Sequence, residues 1–214
     1  YEIPKRDWSS DVCSSDLRPT LFQNMLFLEI FAGTSSLTME VRKTNLRGVA
    51  VDKTTERAKG PITILDLTLE KDLKFLENFI VQEQHNLCLI HLVPPCGTGS
   101  AARKRKLPPD ISERLREAGI TPPQQLRSED FPMGLPHIAG LDRYKVEQAN
   151  LLYEATKRIA MLAISLNIRV SIENPTNSLF WKTDPIVELL QFHPGYINIF
   201  HNCMMGGDRQ KQTT

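Results

Sequence analysis

Short apolar runs, each ending in an acidic or small-residue turn, alternate with helical patterns along most of this chain, and that alternation limits the fold to an α/β sandwich around a mainly parallel sheet. Leu26 to Phe31 is the first expected strand, and Ser36 to Thr44 the helix after it. Val49 to Val51 follows, closed by Asp52, and then Ile62 to Leu65, closed by Asp66. Leu69 to Gln82 has the spacing of an amphipathic helix. Leu87 to Val93 is almost wholly apolar, which predicts a strand buried on both faces. A long helix is expected from about Asp142, with Val146, Ala149, Tyr153, Ala160 and Ala163 turned to the sheet. Ile168 to Ile172 is the fifth strand, ending in Glu173; a short helix over Pro185 to Leu190 and a strand over Tyr196 to Phe200 complete the series. Residues 97 to 141 carry many prolines, a basic run and few apolar periods, and are expected to form one long loop.

With 214 residues, 41% of them hydrophobic and 24% charged, the chain has the material for one domain with a proper core. No stretch reaches the roughly 18 uninterrupted apolar residues of a membrane span. Residues 1 to 25 stand apart from the rest. Asp7 to Leu17 repeats serine and aspartate without period and resembles the translation of a sequencing adapter, so residues 1 to 25 are read as a disordered or artefactual segment and 26 to 214 as the domain. The chain opens on Tyr1, which leaves an upstream targeting signal open. Leaving out Asp7 to Leu17 removes three acids and no base, raising the formal net charge from +1 to +4, a balance that permits a polyanionic partner without requiring one. Cys88, Cys96 and Cys203 then remain, with no disulfide spacing, which favours a reducing, intracellular compartment, cytoplasmic or nuclear.

Three segments carry candidate chemistry. Leu28-Glu29-Ile30-Phe31-Ala32-Gly33-Thr34-Ser35-Ser36 runs a strand into a small-residue turn of the kind that lets backbone approach a nucleotide-like ligand. Asp52, about twenty residues beyond the glycine, is placed to accept ribose hydroxyls. Asp66 suits either ligand binding or capping of the next helix, with Thr68 and Glu70 close by. Pro94-Pro95-Cys96 supplies a thiol at a strand end, ahead of the flexible Gly97-Thr98-Gly99-Ser100. Glu173-Asn174-Pro175 supplies a carboxyl. A thiolate can add to an electron-poor ring carbon while a nearby carboxyl bonds the ring nitrogen, which turns a pyrimidine into a carbon nucleophile.

In this order and spacing the three segments resemble the carbon-5 cytosine DNA methyltransferases, over roughly residues 26 to 210. The resemblance implies a Rossmann-like class I methyltransferase fold, S-adenosylmethionine as methyl donor, and transfer to carbon 5 of cytosine through a covalent cysteine adduct. It makes Cys96 the nucleophile and Glu173 the partner of the ring nitrogen. It places Glu29, Phe31, Gly33, Ser35, Asp52, Asp66 and Pro94 around the cofactor, with Asp66 on the adenine amino group. Ser100, Arg103, Lys104, Arg105 and Arg209 would meet nucleic acid, the last from a Gly206-Gly207-Asp208-Arg209 segment like the family's later motif. Two departures stand out: Ser35 occupies the place of a second glycine, and Pro175 that of a valine. Amine methyltransferases place Asp, Asn or Ser before the paired prolines and an aromatic after them, whereas this chain has Val93 and Cys96. His201 and Cys203 lack a second ligand pair, so no metal site is expected. The target would be a cytosine flipped from a DNA duplex, and a monomer is expected. The family's recognition region lies beyond where this chain stops at Thr214, so a fragment is expected. An RNA cytosine methyltransferase and a non-catalytic nucleic-acid-binding relative remain as alternatives.

Overall fold

A computed structural model describes residues 24–100, 103, 107–120, 122–201 and 212–213. Five strands form one all-parallel sheet in the order β3-β2-β1-β4-β5. They are β1 (Leu26–Ile30), β2 (Arg47–Asp52), β3 (Thr63–Ile64), β4 (Leu87–Leu92) and β5 (Val170–Ile172). The helices are α1 (Ser36–Arg42), α2 (Glu70–Gln82), α3 (Pro109–Glu117), α4 (Gly140–Ser165) and α5 (Asp184–Phe192), with a 3-10 turn at Leu179–Lys182. The pair β6 (Phe200–His201) and β7 (Gln212–Thr213) is a separate antiparallel ribbon. The expected Rossmann-like α/β sandwich is therefore the architecture found.

β1 is the central strand, and all five of its residues are buried. Leu26, Leu28 and Ile30 point to one face, where they meet Leu73, Leu76 and Ile80 of α2 and Ala155, Ile159, Ala160 and Ala163 of α4. Small alanines along α4 let that helix approach the sheet closely. Phe27 and Glu29, one residue out of phase, point to the opposite face, which carries α1. Burial of each large aliphatic side chain here contributes about 1.5–3 kcal/mol, so this layer is where most of the stabilisation arises.

Four details differ from expectation. Residues 97 to 141 hold a helix, α3, capped by Pro108 and Pro109 at its start and with no residue buried in it. Helical periodicity reports burial, and a helix without a buried face leaves no such trace. The first half of α4 packs largely away from the main core: Val146 packs on Leu126 and Ile138, and Ala149 and Tyr153 pack on Phe180 and Ile186, with Ile172 of β5 against them. β4 is fully covered on one face only, since Leu89 and His91 on the side of α1 stay half-buried. Of the strand expected over Tyr196 to Phe200, Phe200 alone is strand, continuing to His201, and Tyr196, Ile197 and Ile199 are exposed coil.

Every strand end extends its ladder by one residue, through Ala32 N–H to the Val51 carbonyl (3.1 Å), Leu65 N–H to Asp52 (3.0 Å), Val93 N–H to Ile30 (3.0 Å) and Glu173 N–H to Leu92 (2.8 Å). The four following loops are thereby delivered to the same edge. β1 and β4 are neighbours although their outgoing chains run to opposite sides, which is the switch point where open parallel sheets bind ligands.

Candidate active site at the carboxyl edge

The turn after β1 is tightly wound. Phe31, Gly33 and Ser35 all have positive φ, at 61°, 55° and 55°. Gly33 is exposed, and a β-carbon there would meet nothing within 4 Å, so open space faces the backbone at this point. Its N–H donates to Asp52 Oδ2 at 2.8 Å, and Thr54 N–H reaches Oδ1 at 3.3 Å. Asp52 thus ties the glycine turn to the end of β2 and keeps further lone pairs for a ligand. Ser35 adopts the left-handed conformation that glycine would supply, at the start of α1, with its hydroxyl fully buried and unpartnered.

Glu29 sits elsewhere. Its carboxylate is buried and accepts from both the N–H (2.9 Å) and the hydroxyl (2.5 Å) of Thr38, bracing β1 against α1 on the sheet face. Phe31 is half-buried against the main core. Asp66 is engaged within the chain. Oδ1 accepts from the Thr68 N–H (3.1 Å) and hydroxyl (2.6 Å), and Oδ2 pairs with Lys53 Nζ at 2.8 Å. Burial alone would raise its pKa; the bonds from Lys53 and Thr68 outweigh that and hold the carboxyl below its ordinary value. Of the two roles weighed for Asp66, turn capping is the one these bonds describe.

Pro94 is buried and Cys96 half-buried, its sulfur a free thiol. The Asn174 side chain, wholly buried on the Glu173 loop, donates through Nδ2 to the Pro94 carbonyl at 2.8 Å. Residues eighty positions apart are joined from the side chain of one motif to the backbone of the other. Glu173, half-buried, follows β5 with its N–H on the neighbouring strand end. Beneath it His91 bonds Ser171 across the two strands (Nδ1 to Oγ 2.8 Å); burial pushes its pKa down, against the opposing pull of Glu29 and Glu173.

The Cys96 loop closes as a turn, with Gly99 N–H on the Cys96 carbonyl (3.1 Å). Arg103 donates through Nε to the Gly97 carbonyl (2.6 Å) and through its terminal nitrogen to Gln124 (3.1 Å), so its guanidinium is directed onto backbone beside the thiol. Ser100 is half-buried at the far end of the turn. Lys104, Arg105 and Arg209 lie outside the described residues. Between the ends of β2, β3 and β4 and the start of α4 lies a cleft of about 400 Å³, lined among others by Lys53, Thr68, Pro95, Thr98, Tyr144 and Gln148.

Three participants were not legible as site residues in the sequence: Asn174 as the link between motifs, and Thr98 and Tyr153 around the thiol. A fourth, Arg127, gave no signal at all, lying in an irregular stretch without a motif. It is fully buried, and burial pushes its pKa down from the ordinary arginine value. No helix among the described residues is long and apolar enough to cross a membrane. No protein-family model matches the chain, and no curated protein is significantly similar to it.

Proposed function

We propose that this chain transfers a methyl group from S-adenosylmethionine to carbon 5 of cytosine in DNA, through a covalent bond to Cys96. The observation that carries the reading is the hydrogen bond from Asn174 to the Pro94 carbonyl, which holds the thiol-bearing and carboxyl-bearing loops side by side at the carboxyl edge.

The residues present fit the cofactor. Gly33 offers backbone with open space where a side chain would stand, Asp52 offers carboxylate lone pairs fixed by two N–H groups, and the adjoining cleft leads to Pro95 and Thr98. Asp66 contributes by ordering the Thr68 turn and Lys53 at the cleft wall, since its oxygens take two bonds from Thr68 and the Lys53 ammonium. When bound, S-adenosylmethionine supplies an electrophilic methyl group.

The chain's own residues do the rest. Cys96 adds as thiolate to carbon 6 of the base, forming a carbon–sulfur bond and pushing the ring's electron pair toward carbon 5. Glu173 bonds the ring nitrogen and stabilises the charge that gathers there. Once carbon 5 is methylated, loss of its proton to a base or to water restores the double bond and expels the thiolate. A base in a duplex is out of reach, so the substrate is a flipped or single-stranded cytosine. The basic run from Arg103 to Lys106 supplies charge for the phosphates, and a working free thiol suits the cytoplasm or nucleus.

Incubation with S-adenosylmethionine labelled in its methyl group, and with cytosine-containing DNA or RNA of equal length, tests the reading. Label recovered as 5-methylcytosine from DNA is expected. Recovery from RNA alone moves the substrate to the alternative, and cofactor binding without transfer to either leaves only a nucleic-acid-binding relative.

A further inference from the structure

The Pro95 carbonyl before Cys96 and the Thr98 side chain after it are held by one continuous hydrogen-bonded chain that starts from a buried cation. Arg127, fully buried, donates through Nε to Thr98 Oγ1 at 3.0 Å, while its other nitrogens are fixed by the carbonyls of Pro132 (2.6 Å) and Val146 (3.3 Å). Its guanidinium carbon lies 5.2 Å from the centre of the Tyr153 ring, a cation–π distance. Tyr153, also fully buried, donates its hydroxyl to the Pro95 carbonyl at 3.0 Å and lies 3.4 Å from Thr98 Oγ1. The proton directions follow from the donor inventory. Arginine only donates and a carbonyl only accepts, so the phenol's one proton goes to Pro95 and the Thr98 hydroxyl donates to the phenol oxygen. Burial raises the Tyr153 pKa, so the phenol keeps that proton throughout the working range.

We infer that Arg127, Thr98 and Tyr153 are positioning residues for Cys96: they fix the orientation of the Pro95–Cys96 peptide and of the turn that follows it, and so aim the thiol. The inference rests on the proposed nucleophilic role of Cys96. Two further contacts show that the aim is set by this chain and not by the turn alone. The Gly99 carbonyl accepts from Leu179 N–H at 2.9 Å, and a β-carbon at Gly99 would stand 3.2 Å from Phe180 N and from Ser178 Oγ, so the far side of the turn is clamped against the 3-10 turn. With that side fixed, the remaining freedom lies at Pro95 and Thr98, where the Tyr153 and Arg127 bonds fall. Polarised chains of this kind are stiffer than their separate bonds, and a preorganised nucleophile loses less entropy on attack.

The test uses the full chain, with another of its thiols as reference. Cys88 is half-buried and donates to the Leu26 carbonyl, away from the turn. Parent, Tyr153→Phe and Thr98→Val are treated with limiting iodoacetamide, and modification of Cys96 relative to Cys88 is read by peptide mass spectrometry. Adduct formation with DNA containing 5-fluorocytosine is measured in parallel. In both variants the Cys96 to Cys88 ratio is expected to rise at least threefold as the half-buried thiol loosens, while the adduct rate falls at least fivefold. An unchanged ratio in a folded variant overturns the inference, as does a rise of both cysteines together, which marks general loosening. A raised ratio with no adduct from the parent supports the positioning role and overturns the methyltransferase reading instead. Thr98→Val keeps the Tyr153 bond to Pro95 and the Arg127 bonds to Pro132 and Val146, so the comparison survives if Tyr153→Phe fails to fold.

Discussion

At the residue scale, the sequence placed acids and thiol at strand ends by type and spacing, and could not say which of their atoms were already spoken for. Asp52 and Asp66 read alike in sequence, each closing an apolar run. The structure separates them: Asp52 takes one N–H on each oxygen, from Gly33 and Thr54, while Asp66 takes two bonds from Thr68 on one oxygen and the Lys53 ammonium on the other. Glu29 is separated further, because its period-2 phase on β1 carries it to the face of α1, where Thr38 takes its charge. These outcomes depend on residues far off in sequence or on their rotamers, which spacing does not encode. The lowered pKa of Asp66 has a sign that can be checked. A carboxyl held below its unfolded value of about 3.9 contributes stability above that pH and loses it as pH falls through the folded value. Lys53 is exposed, so the contribution is expected to stay within about 1 kcal/mol. Asp66→Asn should therefore lower stability near pH 7, and the gap should close at pH 2 in paired urea titrations; a gap that persists at pH 2 assigns it to packing.

At the element scale, the elements with a buried apolar face were read well, and so were α1 and β3, which bury little apolar surface. The strands β1, β2 and β4 and the helices α2 and α4 were foreseen because each turns a periodic apolar face to the core. The helix α3 has none, and the 3-10 turn at Leu179–Lys182 is too short to show a period. The division of α4 between two partners escaped notice because spacing shows that a face is covered and not by what. The turn from β1 into α1 stores strain that a sequence pattern cannot reveal. Phe31 and Ser35, both with β-carbons, hold left-handed conformations, each at about 1–3 kcal/mol. Ser35 adds a buried hydroxyl without a partner. Glycine would remove both penalties while giving back roughly 0.5–1 kcal/mol in chain entropy. Ser35→Gly is expected to stabilise the chain by about 1 kcal/mol in denaturant unfolding, and a loss of stability would mean that the hydroxyl holds a contact across the turn.

At the scale of the whole molecule, the architecture does one thing for function: a parallel sheet gathers chain segments from 33 to 174 onto a single edge. The order β3-β2-β1-β4-β5 puts the glycine turn and the Pro-Pro-Cys loop on adjacent central strands and the Glu-Asn-Pro loop next to the second of them. The glycine turn and the thiol loop are thus neighbours, and a cleft beside them is lined by Lys53 and Thr68, by Pro95 and Thr98, and by Tyr144 and Gln148 of α4. The parallel sheet, with these loops at its strand ends, was legible from the alternation of strands and helices; the strand order was not. The buried support behind the thiol was not, because Arg127 and Tyr153 meet only in the folded chain. The central claim is that Cys96 is a nucleophile toward the pyrimidine ring. It is tested most directly by incubating the protein and S-adenosylmethionine with DNA carrying 5-fluorocytosine, whose fluorine does not leave as a proton does, and mapping any denaturation-resistant adduct by mass spectrometry. The account predicts one adduct, on Cys96, absent in Cys96→Ser; an adduct elsewhere, or none with a folded protein that binds both cofactor and DNA, contradicts it.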